Sequence, residues 1–130
     1  METADYCDYE LSLALKDAGF DYPCYFYYTK KNAPDDCVWQ TTSEEAPVDY
    51  NRRIYAGCSK PLLYQAQKWL REKKHLSVEP YANIVANFNY NIADLESFAD
   101  YKGLGIGYAS YECALAAGIS ASLELIKKGE

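Results

Sequence analysis

Leu11, Ala14, Leu15 and Ala18 recur at the i, i+3, i+4, i+7 spacing of one helix face, behind Asp8, whose carboxylate can accept an amide of the first turn. Gly19 supplies a left-handed stop, so a helix is expected over about 8–18. Asp21-Tyr22-Pro23 then turns the chain into Cys24-Tyr25-Phe26-Tyr27-Tyr28-Thr29, unbroken and aromatic as a strand is. Residues 30–36 hold Asn, Pro and two Asp and read as a loop, and Cys37-Val38-Trp39-Gln40-Thr41-Thr42 returns as the partner strand of a hairpin.

Residues 43–58 show no period and read as a long connection, acidic and then basic. Ser59 is expected to cap a second helix over about 60–74, with Pro61 in its first turn and Leu62, Ala66, Trp69 and Leu70 on its buried stripe. Leu76-Ser77-Val78-Glu79 and Ile84 to Tyr90 look like two strands joined through 80–83, and 91–100 is ambiguous. In Gly103-Leu104-Gly105-Ile106-Gly107-Tyr108 an extended chain puts three glycines on one face and three large residues on the other, so its bare side admits a close approach. Ser110 caps a last helix with Leu115, Ile119, Ser122, Leu123 and Ile126 on its core side.

The order α-β-β-α-β-β-(β)-α predicts one α+β domain over 1–130: two layers, a mainly antiparallel sheet of about four to five strands, and three helices covering it. The stretches 24–74 and 76–127 both run as strands followed by a helix, without matching closely enough to be a repeat.

Tyrosine is the compositional anomaly, with 14 in 130 residues. Tyr25 and Tyr27 alternate onto one face of the first hairpin. With Trp39, Tyr50 and Tyr55 they make a candidate surface for protein partners, unless the 43–58 connection folds over them. The same aromatics beside Arg52, Arg53, Lys30 and Lys31 would suit single-stranded nucleic acid, but the net charge of −6 argues against it. Charge is unevenly spread: residues 1–23 hold six acids against Lys16, and 52–74 hold seven bases against Glu72. That leaves two further alternatives, a nucleic-acid accessory factor using the 52–74 stretch and an acidic decoy imitating DNA phosphates.

Chemistry is sparsely represented. Five cysteines at 7, 24, 37, 58 and 113 lack any CxxC pair and read as reduced thiols, with Cys24, Cys37 and Cys113 expected inside. His75, the one histidine, follows Lys73 and Lys74 at a helix end, a capping or solvated position. The glycine run fails both nucleotide fingerprints, because Tyr108 stands where a glycine is required and no Lys-Ser or Lys-Thr pair follows. Asp35-Asp36 and Glu44-Glu45 sit in loops and read as solvated; a small enzyme with a tyrosine-lined cleft stays as an alternative. No catalytic residue, metal or cofactor is assigned. Without an apolar run or signal segment, a cytoplasmic protein with a protein partner or a second copy, and no membrane, is expected.

Three segments carry a resemblance: YELSLALKDAGF at 9–20, SKPLLYQAQKWLREKKHLSVEPY at 59–81 and SYECALAAGISASLELIKK at 110–128. They resemble small proteins of bacterial and bacteriophage genomes that share a short helix ending in an aromatic, a QAQKWLRE helix followed by strands, and a closing YEEALEAGI-like helix. The resemblance implies an α+β fold and a mobile-element context, and no activity is attached to it.

Overall fold

The structure, a computed structural model, describes residues 5–28, 37–38, 47–53, 57–83, 85–96 and 101–128. They fall into two compact units, 1–62 and 63–130. The break precedes the second helix, which therefore belongs with the strands that follow it.

In the first unit, α1 spans Tyr9–Asp17, and Asp8 Oδ1 accepts the Leu11 amide at 2.8 Å as the cap. Gly19 takes φ 98, a left-handed value that glycine adopts without a Cβ penalty. The chain then turns back, the Phe20 amide donating to Leu15 O, and the Phe20 ring is buried. β1 (Tyr27–Tyr28) lies between β2 (Cys37–Val38) and β3 (Cys58–Ser59), antiparallel to both. The expected hairpin is therefore present, with a third strand from the end of the connection. Ser59 is not a helix cap: it pairs with Tyr27 across β1 and β3.

In the second unit the elements are α2 (Leu63–Lys73), β4 (Leu76–Ala82), β5 (Phe88–Asp94), β6 (Tyr101–Tyr108) and α3 (Tyr111–Lys127). The strands form an antiparallel meander in the order β4-β5-β6. α3 lies across all three strands, and α2 lies beside it against β4. Ala66, Trp69 and Leu70 of α2 are buried as the stripe predicts, as are Leu115, Ile119, Ser122 and Leu123 of α3, whose Ser110 Oγ accepts the Cys113 amide. The helix starts at Leu63 because Leu62 is held in a bridge to Tyr6.

β4 runs on to Ala82 and β5 starts at Phe88, so the two strands are not joined at 80–83. Pro80 stays inside β4, where an edge position lets its missing N–H cost no ladder bond. The α+β class and antiparallel pairing hold, with the strands divided between two sheets of three instead of forming one. No helix among the described residues is long and apolar enough to cross a membrane.

Candidate functional site

The glycine-rich strand organises the second unit. Gly105 stands opposite Tyr90 and Gly103 opposite Ile92 on the helix-covered side of the sheet. A Cβ on Gly105 would lie 2.1 Å from Tyr90 Cε2, so the bare face of the strand is occupied by that ring. From the helix side, a Cβ on Gly118 would lie 2.4 Å from Val78 Cγ1 and 3.1 Å from Tyr90 Cδ1. Tyr90 is thus held between two glycines, one on β6 and one on α3. Burial, then the neighbouring Tyr108, pushes its phenol above the usual value.

The opposite face of this sheet is the one away from α3. Leu104, opposite Asn91, projects there with 66% of its surface exposed, and Ile106 is 78% exposed. The ladder shifts register between Phe88 and Tyr90, and Gly107 takes φ 84 within that irregularity. The shift reverses the alternation. Tyr108 pairs with Phe88 and brings its ring to 5.8 Å from Tyr90, so it leaves the Leu104 and Ile106 face that simple alternation assigns it. The Gly107 amide donates to Asn89 Oδ1 at 3.1 Å. Asn83 Nδ2 donates to Asn89 Oδ1 at 2.9 Å and also to Asn87 Oδ1, while Asn83 Oδ1 accepts the Val85 amide at 2.9 Å. These asparagines tie the β4–β5 turn to the irregular part of β6 and so fix where Ile106 points. Exposed Tyr81, paired with Asn89, stands on the same face.

In the first unit the tyrosines are divided. Tyr25 is 53% exposed, at a bend ahead of β1. Tyr27 lies with its ring 4.6 Å from that of Tyr50, which is buried. Tyr50 belongs to a short 3-10 turn, Tyr50–Arg52, held by Asn51. The Asn51 side chain donates to Phe20 O and accepts the Ser59 amide, both at 2.9 Å. The described part of the connection therefore sets buried Tyr50 against half-buried Tyr27. Arg52 and Arg53 are exposed, with Arg52 Nε 3.9 Å from Asp49 Oδ2. Trp39, Tyr55, Lys30 and Lys31 lie outside the described residues. Lys60 is buried, its ammonium 5.1 Å from the Tyr6 ring centroid and 5.3 Å from that of Tyr28. The basic 52–74 stretch thus loses one of its cations to the interior.

Among the described residues the reactive groups form no metal-holding cluster, although Cys24 and Cys58 lie near enough to Cys7 to help burial raise its thiol. Cys7, Cys24 and Cys58 are buried free thiols. Burial pushes Cys24 up to about 12 and Cys58 up to about 11, and raises Cys7 well above the ordinary thiol range, so none of the three supplies a thiolate near neutrality. Cys113, expected inside, is exposed on the first turn of α3. The side chain of Cys37 lies outside the described residues. His75 is exposed at φ 59 just past α2, its carbonyl accepting the Leu95 amide. Among the described residues no three His, Cys, Asp or Glu side chains come together to hold a metal ion.

Leu104 and Ile106 were not singled out from the sequence as a surface. Their alternation with glycine signals two unlike faces, and the aliphatic one is the exposed one. Comparison with known proteins adds no template: no family model, curated protein or solved structure matches the chain.

Proposed function

We propose that the chain is a protein-binding module that works through the face of the β4-β5-β6 sheet away from α3, with Leu104 and Ile106 as its anchors. The observation that carries this reading is their exposure, 66% and 78%, on adjacent outward positions of an edge strand. Full burial of such a side chain contributes ~1.5–3 kcal/mol, which a docking partner recovers. Tyr81 flanks the anchors and adds an amphipathic ring. The buried free thiols support a reducing compartment, the cytoplasm, as its place of action.

The test compares proteins retained from native extract by the unmodified chain, by Ile106→Lys and by Tyr25→Ala. Partners kept by Tyr25→Ala and lost by Ile106→Lys support the reading. Identical retention by all three overturns it.

A further inference from the structure

We infer that β6 pairs antiparallel with β6 of a second copy about a two-fold axis through Gly105, joining two three-stranded sheets into one of six. The inference rests on reading this face as an interaction surface and names its occupant.

The two edges of the sheet differ. β4 is blunted by Pro80, which has no amide to donate, and by exposed Glu79. β6 holds neither proline nor acid between Tyr101 and Tyr108, and within the described residues it pairs only with β5. Self-pairing centred on Gly105 is also complementary in register. It sets Leu104 opposite Ile106 of the second copy, and Ile106 opposite its Leu104, so four aliphatic side chains form one patch on the open face. Glycine meets glycine at 105, so no side chain of β6 obstructs the helix side at the axis.

Charge does not oppose this register. In a chain of net charge −6, two copies meet here without opposing acids, and Lys102 does not face its own symmetry mate. The surface is small beside the ~800 Å² per partner of a stable complex, so association is expected to be weak, with Kd on the order of 10–500 μM.

Sedimentation equilibrium of the full chain from about 10 μM to 1 mM tests this directly. The expected result is a mass rising from monomer toward dimer, with Ile106→Lys and Leu104→Lys each raising Kd at least tenfold while leaving the circular dichroism unchanged. For the register, the double variant Leu104→Cys, Ile106→Cys in a Cys113→Ser background should form a covalent dimer under mild oxidation. A chain that stays monomeric at 1 mM overturns the pairing, as does a dimer that both lysine variants leave intact. A monomer whose retained partners are still lost by Ile106→Lys overturns self-pairing alone and leaves the face as a site for another protein.

Discussion

Gly118→Ala puts the packing of the second unit to a test of sign. In an unobstructed helix interior this change stabilises by ~1 kcal/mol, because alanine has the higher helix propensity. Here the new methyl would sit 2.4 Å from Val78 Cγ1 and 3.1–3.2 Å from the Tyr90 ring. Neither neighbour has room to retreat. Val78 is fully buried, and Tyr90 already abuts Gly105 on β6. Overpacking costs ~1–3 kcal/mol, and so deep an overlap belongs at the upper end. The net expectation is a loss of about 2 kcal/mol, or roughly 6–8 °C in Tm for a chain of this size. Urea unfolding followed by near-ultraviolet circular dichroism measures it. In a Val78→Ala background the closest atom is gone, so the same substitution should become neutral or favourable. A Gly118→Ala protein as stable as the parent would refute the idea that α3 rests on Val78 and Tyr90 at this point.

Other outcomes follow from single features. Asn51→Ala removes the bonds to Phe20 O and from the Ser59 amide and should cost about 2–3 kcal/mol in urea unfolding, with Asn51→Asp intermediate because it keeps only the acceptor. His75→Gly should raise Tm by relieving a left-handed backbone worth ~1 kcal/mol, while His75→Val lowers it; a fall with glycine would contradict the φ of 59. Native thiol titration at pH 8 should lose one fast equivalent in Cys113→Ser and none in Cys24→Ser. Cys24 and Cys58 have folded-state pKa values raised above an unfolded value near 9. The stability they supply is therefore complete below pH 9 and lost as pH climbs toward 11–12. Urea midpoints should fall across that window, less so in Cys24→Ala, and a midpoint independent of pH there would contradict the burial.

Local signals were legible where the cause is local. Asp8 and Ser110 cap their helices, and Gly19 supplies the left-handed turn after α1, because capping and handedness depend on a few adjacent residues. Ser59 misled for the converse reason. Its hydroxyl suits a cap, but pairing with Tyr27, 32 positions earlier, holds its backbone extended, and no local pattern reports such a partner. Tyr108 misled because alternation assumes an unbroken ladder, and the shift at Gly107 reverses the faces. Tyr50 has the composition of a contact residue, yet Asn51 clamps its turn inward through two bonds to distant backbone. The apolar neighbours of Cys113 suggest an inside position, yet it is Ala114 and Leu115 that are buried on that turn of α3.

The central claim, contact through Leu104 and Ile106, is tested most directly by photo-crosslinking in native extract from a reactive side chain placed at position 106, beside the same side chain at position 25. Adducts from 106, whether to a second copy or to another protein, with none from 25, are the expected result. Adducts from 25 with none from 106 would contradict it and move the working surface to the exposed tyrosine of the first unit.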